Sequence, residues 1–248
     1  MVNSASGEWS PFQDPRWTET LIDGPDGHGY RLAIAAPGSP APSEGYPFIL
    51  VLDGAQHFAA TAGAAAALSR RPDKTGITPL AVVGLFWTSG RDGWDPGARF
   101  RDFTYTPAPP GEDPGKPYGA ADAFLTTLEH RVLPAARANL PLASDHGTLF
   151  GHSLAGLFTI ETRRRRPDLF KRWIAISPSL WWRPDLRPAP GPDLLVGCGA
   201  LETSRDMRAR AEQWNDADRG IRALVAPDAD HGSAPFALLP QILRHASR

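Results

Sequence analysis

Ser153 sits in the stretch TLFGHSLAGLFTI, residues 148–160, where one short apolar run hands over to another across Gly151-His152-Ser153-Leu154-Ala155-Gly156. Gly151 and Ala155 flank the serine at two residues on either side, a variant of the Gly-x-Ser-x-Gly elbow in which Ala155 replaces the second glycine. In that turn a serine is held in a strained conformation between strand and helix, and small neighbours let the chain pass without clashes. The hydroxyl is then presented at the carboxyl end of the strand, where it can serve as a nucleophile. A serine capping a buried helix, with glycines for packing, uses the same residue types. A strand before and a helix after Ser153 favour the elbow.

A serine hydroxyl needs a base, and in an elbow sheet the chain order is serine, acid, histidine. Two histidines follow Ser153. His231, in VAPDADHGSAPF, follows an apolar run and precedes a helical one, which is where the base belongs; His245 reads as a solvated residue near the end of the last helix. The acid should follow DLLVGCG (193–199): Glu202 is the first choice and Asp206 the second. Asp228 and Asp230 lie so close to His231 that they read as loop-shaping residues. Two backbone amides are needed for an oxyanion. Leu154, directly after the serine, offers one, and Gly54 or Ala55 in VLDGAQHF offers the other; Asp53 also suits a cap on the helix that follows.

The elements that must hold these groups can be read from apolar periodicity. TETLID (18–23), YRLAIAAP (30–37), PFILVLDG (47–54), PLAVVGLFW (79–87), GTLFG (147–151), KRWIAIS (171–177), DLLVGCG (193–199) and IRALVAP (221–227) read as strands. Helical spacing marks 56–71, 119–140 with a kink at Pro134, 154–166, 204–219 and 234–246. From residue 47 onward strands alternate with helices, which implies a mainly parallel sheet covered on both faces. The hairpin-like start adds antiparallel strands at one edge.

The 248 residues suit one domain with a sizeable core, 1–248, and 42% hydrophobic against 21% charged residues is an ordinary globular balance. A formal net charge of −1 gives no general attraction to nucleic acid or anionic membrane. Cys198 is the only cysteine, so no internal disulfide is possible and no cysteine cluster can hold a metal; no cofactor is expected. MVNSASGEWSPF lacks the basic and apolar regions of an export signal, and no apolar run reaches membrane-spanning length. A cytoplasmic protein is the expectation, or a periplasmic one if a leader has been trimmed.

Together LDGAQHF (52–58), RDFTYTP (101–107), GHSLAGLF (151–158), ISPSLWW (176–182) and DHG (230–232) resemble the esterase D-like (putative-esterase) family, which includes esterase D, the mycolyltransferases and the ferric enterobactin esterases. The siderophore-esterase branch is the most similar. The resemblance implies an α/β-hydrolase fold and ester hydrolysis through a Ser–His centre, with Ser153 and His231 in those roles. The short GALE segment (199–202) departs from the family where the acid is usually sought, and some relatives manage with a Ser–His pair. The branch acts on macrolactones of catecholate-serine units, often iron-bound, so the expected partner is a small-molecule ester. Bulky, aromatic, anionic substrates call for aromatic faces and cations. The loops expected to overhang Ser153 offer Trp87, Arg91, Trp94, Arg99 and Arg101, and then Trp181, Trp182 and Arg183. Those tryptophans can equally pack long loops, with the arginines facing water. RRRR (163–166) reads as a solvated face at the end of the helix that Ser153 opens, away from the catalytic side.

Overall fold

The structure, a computed structural model, describes residues 14–111 and 115–248; the stretch read for an export signal lies outside the described residues. Eight strands form one sheet: β1 (Trp17–Asp23), β2 (Gly29–Ala35), β3 (Tyr46–Val51), β4 (Ala81–Trp87), β5 (Leu142–His152), β6 (Arg172–Ile176), β7 (Asp193–Gly199) and β8 (Ile221–Ala226). Their order is β1-β2-β4-β3-β5-β6-β7-β8. The β1–β2 and β2–β4 pairs are antiparallel and the rest are parallel. Each apolar run expected as a strand is therefore in the sheet, and the antiparallel pairs lie at the N-terminal edge.

The parallel strands are apolar throughout because both faces are covered. Successive side chains alternate: Phe48, Leu50, Trp173 and Ala175 enter one core, while Ile49, Val51, Ile174 and Ile176 enter the other. Helices α1 (Gly54–Leu68), α8 (Ala234–Ala237) and α9 (Leu239–Ala246) supply the second core through Phe58, Ala234 and Ile242. Helices α3 (Pro96–Phe103), α4 (Ala121–Thr127), α5 (Leu133–Asn139), α6 (Leu154–Arg165) and α7 (Met207–Glu212) supply the first, through Phe103, Phe124, Leu133, Phe158 and Ala211. A single short turn of helix, α2 (Pro72–Thr75), lies between α1 and β4. Among the described residues no helix is long and apolar enough to cross a membrane.

Several helices depart from their sequence patterns for local reasons. Residues 119–140 form α4 and α5 joined by a π turn, Leu128–Val132, because Pro134 has no N–H for the carbonyl one turn back. The 204–219 pattern yields only α7 with short 3₁₀ turns on either side; Arg205 and Asp206 hold φ of 56° and 54°, which no continuous helix tolerates. The 234–246 pattern splits into α8 and α9 at Leu238, next to Pro240 in the first turn of α9. Helix α3 was not among the helices expected. Its signal is nevertheless local: Asp95 accepts from the amides of Gly97 and Ala98 at 2.8 and 3.0 Å, and Pro96 opens the first turn.

Two readings of charged residues are corrected. Arg163 of the RRRR run is buried and donates to the carbonyls of Pro192, Ala189 and Arg219 at 2.6, 2.9 and 3.1 Å. It ties down the segments flanking β7, and in that run only Arg164 and Arg165 are exposed. His245 is buried against the sheet rather than solvated, because α9 turns that face inward. Burial, aided by the Arg222 charge, pushes its pKa down to about 4.

Candidate active site

The chemistry-bearing residues gather at the carboxyl ends of β3, β5, β6, β7 and β8, the edge where open α/β sheets place ligands. Ser153 joins β5 to α6 with φ 59° and ψ −118°, a strained conformation for a residue with a side chain. Its N–H is fixed by the Ile176 carbonyl at 3.0 Å. The small neighbours have a measurable reason. A Cβ on Gly151 would lie 2.1 Å from the Ala155 carbonyl oxygen and 2.6 Å from the Thr159 hydroxyl, so any larger residue would push the first turn of α6 out of place.

His231 stands in the loop after β8, which Asp228 turns with φ 55°. Asp230 shapes that loop by accepting from the amide and hydroxyl of Ser233 at 2.8 and 2.6 Å. The imidazole Nε2 lies 3.1 Å from Ser153 Oγ and its Nδ1 lies 2.9 Å from Glu202 Oε2. A carboxylate only accepts, so the proton belongs on Nδ1; Nε2 is then bare and accepts the serine hydroxyl. Glu202 is buried, and its other oxygen accepts from the Ser177 hydroxyl at 2.6 Å and the Gly199 amide at 2.5 Å. Of the carboxylates weighed for the acid, Glu202 is the one beside His231. Asp206 is exposed at the start of α7 and Asp228 is exposed in its loop.

Burial works against ionisation of Glu202, but the bonds from His231, Ser177 and Gly199 outweigh it and hold the carboxyl below its usual range. Two further histidines adjoin the site. His152 donates Nε2–H to the His231 carbonyl at 2.9 Å and lies ring to ring with His231 at 4.7 Å. Burial holds the pKa of His152 well below the usual imidazole value and that of His57 below it, so both rings are neutral. The sequence signals for these two were available: His152 is the elbow's own variable position, and His57 is in the turn named for the oxyanion amide.

A cavity of about 490 Å³ opens over Ser153 and His231, walled by Gln56, His57, Trp94, Arg99, His152 and Phe236. Arg99 is clamped by Asp53 through two parallel bonds of 2.7 and 2.8 Å, and its guanidinium lies 4.5 Å over the Trp94 ring. Asp53 thus holds Arg99; it makes no side-chain cap on α1. Of the substrate-binding candidates Trp87, Arg99, Arg101, Trp181 and Trp182, Arg99 alone lines this cavity. Trp87 is buried, its indole N–H bonded to Asp102 at 2.8 Å, because its position in β4 faces the helix-covered core. Arg101 pairs with the same Asp102 at 2.7 Å. Residues two apart on a helix point about 200° from one another, so Arg99 and Arg101 cannot share a wall. Trp182 is buried and donates to the Thr106 carbonyl at 3.3 Å. Trp181 is half-buried, with the Arg205 guanidinium 3.6 Å over its ring. Arg183 pairs with buried Glu161 and with Asp185, and Arg91 projects into solvent. Trp94, in contrast, is in the cavity wall.

Leu154 opens α6, and Gly54 with Ala55 opens α1, so these amides have no acceptor within their helices. Gly54 is pinned there, since a Cβ would meet the Leu85 carbonyl at 2.8 Å. Gly54 and Ala55 border a second groove of about 900 Å³ beside β1; in the same turn, Gln56 and His57 face the Ser153 cavity. Among the described residues no group of three or more His, Cys, Asp or Glu is arranged to hold a metal ion.

A mostly parallel doubly covered sheet, with a serine on a strained strand-to-helix turn bonded to a histidine and the histidine to a buried carboxylate, defines an α/β-hydrolase. The chain belongs to the family described as "Putative esterase", which matches residues 27–230. It is 35% identical over 162 residues to the ferri-bacillibactin esterase BesA of Bacillus subtilis, an alignment spanning 62% of this chain and 54% of BesA. The chain therefore spans about half the length of that curated relative. Among solved structures it superposes on the BES protein of Bacillus cereus with a TM-score of 0.84 and 25% identity, covering 98% of this chain and 99% of that one. The enterobactin hydrolase IroE in complex with DFP gives a TM-score of 0.76 at 23% identity, over 93% of this chain and 94% of that one.

Proposed function

We propose that the protein is a serine esterase that hydrolyses ester or lactone bonds of a catecholate siderophore through an acyl-enzyme. The observation that carries the reading is the continuous chain of bonds from Ser153 Oγ to His231 Nε2 at 3.1 Å and from His231 Nδ1 to Glu202 at 2.9 Å, built on the strained turn. Ser153 Oγ attacks the ester carbonyl carbon as its proton passes to His231 Nε2. The charge gathering on the carbonyl oxygen is met by the Leu154 amide and by an amide from the first turn of α1, Gly54 or Ala55. When the tetrahedral carbon collapses, the C–O bond to the leaving alkoxide breaks and His231 returns the proton to that oxygen. Water then repeats the sequence on the acyl-serine, restoring Ser153 and releasing the acid. Glu202 fixes the imidazole tautomer and stabilises the imidazolium that forms in each half.

The substrate class rests on the cavity wall and on the relatives. Arg99, locked by Asp53 and stacked over Trp94, presents a cation and an aromatic face beside the serine, which suits an anionic catecholate ring. BesA and IroE are a ferri-bacillibactin esterase and an enterobactin hydrolase by name. An iron ion, where present, is part of the substrate. The test pairs a covalent label with turnover. DFP should form a single adduct on the chain, and Ser153→Ala should abolish both the adduct and ester hydrolysis, lowering turnover by about 10⁴-fold. Ser153→Ala activity within tenfold of the parent would overturn the nucleophile. Good turnover of p-nitrophenyl acetate with none of a catecholate trilactone would instead make it a general carboxylesterase or acyltransferase of the family. Binding of either ester without turnover would make it a non-catalytic binding protein of the same fold.

A further inference from the structure

We propose that Ser177 is a positioning residue, which holds the Glu202 carboxylate so that Oε2 faces His231; this rests on the reading of Ser153, His231 and Glu202 given above. Ser177 follows β6 with φ 46°, in the left-handed region, and it is fully buried. Its amide is already engaged by the Gly197 carbonyl at 2.7 Å. A glycine would take this φ with less strain, so what a serine adds to the turn is its hydroxyl. That hydroxyl donates to Glu202 Oε1 at 2.6 Å.

The carboxylate of a glutamate turns easily about its last torsion, which is broad and roughly two-fold. The Gly199 amide, at 2.5 Å from Oε1, restrains it from one direction. Ser177 supplies a second donor to the same oxygen from a different strand. With Oε1 saturated, Oε2 is left for the Nδ1–H of His231, at 2.9 Å. The same loop also reaches the other end of the relay. The Ser179 amide donates to the Ser153 carbonyl at 3.0 Å, and the two hydroxyl oxygens are 3.3 Å apart. Pro178 stiffens the connection between them. One three-residue turn thus sets the separation between the strained serine and the acid.

The test uses the full chain, with p-nitrophenyl acetate as substrate and Ser177→Ala, Ser177→Gly and each of these added to Glu202→Gln. A lost hydrogen bond to a charged group should lower kcat about tenfold to a hundredfold, with KM within about twofold of the parent. Ser177→Gly, freed of the strained φ, should melt at or above Ser177→Ala yet be equally slow, so that activity does not follow stability. Added to Glu202→Gln, either change should bring no further loss, because Ser177 acts through the carboxylate. Turnover that tracks melting temperature across the variants would overturn the proposal. So would additive losses in the Glu202→Gln background, or a Ser177→Ala kcat within about twofold of the parent. An active Ser153→Ala, measured alongside, would instead sink the nucleophile assignment on which the proposal stands.

Discussion

Glu202→Gln should be more damaging to turnover than the complete removal of the side chain. Glu202 Oε1 faces two donors, the Ser177 hydroxyl at 2.6 Å and the Gly199 amide at 2.5 Å. A serine hydroxyl can rotate to accept, but a backbone amide cannot. The glutamine must therefore turn its oxygen toward Gly199 and its NH₂ toward His231. An NH₂ donor forces Nδ1 of His231 to accept, which moves the ring proton to Nε2, opposite Ser153. The base is then in the wrong tautomer to take the serine proton. The loss expected for that fault is about 10³–10⁴-fold in kcat, or roughly 4–5.5 kcal/mol of barrier at about 1.4 kcal/mol per decade. Stability should change little, since shape and two bonds survive.

Glu202→Ala reverses the ranking. It leaves the Gly199 amide and Ser177 hydroxyl without their acceptor, a loss of about 1–3 kcal/mol for each group that stays dry. His231 is free, however, to take the productive tautomer with water at Nδ1, so turnover should exceed that of the glutamine variant. Initial rates on p-nitrophenyl acetate at pH 8, beside urea unfolding of both variants, read the two orders at once. If the glutamine variant works within about tenfold of the parent, or outpaces the alanine variant, the tautomer argument fails.

Stability should fall in mild acid in a way traceable to His245. With a folded pKa of about 4 against about 6.5 for an exposed imidazole, its stability contribution is complete above pH 6.5 and is lost as pH falls toward 4, by up to about 3 kcal/mol; His245→Phe should flatten the slope of urea-unfolding stability between pH 7 and 5. Trp94→Ala should depress kcat/KM for a catecholate trilactone well beyond its effect on p-nitrophenyl acetate. Trp182→Ala, emptying a buried site, should cost about 3–5 kcal/mol of stability and lower both substrates' rates equally; the opposite pattern in a side-by-side assay would restore Trp182 to the substrate site. Asp53→Gly should relax φ 53° yet lower the melting temperature, because it leaves Arg99 buried without its partner, a loss of about 3–5 kcal/mol against about 1 kcal/mol of backbone relief; unchanged melting would show that Arg99 is not held by that pair.

What sequence made legible and what it did not divides by the range of the interaction. The strands were readable because a sheet covered on both faces needs unbroken apolar runs such as PFILV and RWIAI. Ser153, Glu202 and His231 were readable because a strand order fixes the order in which its carboxyl ends supply residues. Wall residues follow no such rule. Trp87 and Trp182 share the composition of a binding surface with Trp94, and only the packing of β4, α3 and the 178–182 turn decides which ring faces the cavity. Arg99 and Arg101 differ by a helical rotation that depends on where α3 begins, and that helix was absent from the sequence reading. The splitting of the two C-terminal helical patterns likewise followed from single residues, the positive φ of Arg205 and Asp206 and the ring of Pro240.

Among the described residues, four of the seven non-glycine residues at positive φ lie where the chemistry is. Asp53 after β3, Ser153 after β5, Ser177 after β6 and Asp228 after β8 all carry side chains at positive φ, between 46° and 59°. Each marks the point where a parallel strand turns out of the sheet at its carboxyl end. Glycine would make these turns with less strain, so the side chains rather than the turns account for the residue types. Asp53 uses its carboxylate to clamp Arg99 into the cavity wall, and Ser153 offers its hydroxyl to His231. Ser177 saturates one oxygen of Glu202, and Asp228 bends the loop that returns His231 to the serine. The strained residues are sustained by the sheet behind them, whose two buried cores fix the strand ends independently of the loops. A rigid sheet below and short strained turns above let residues from five strand ends meet within hydrogen-bonding distance. The relay is set by strand order and backbone, whereas the wall depends on how α1 and α3 lean over it.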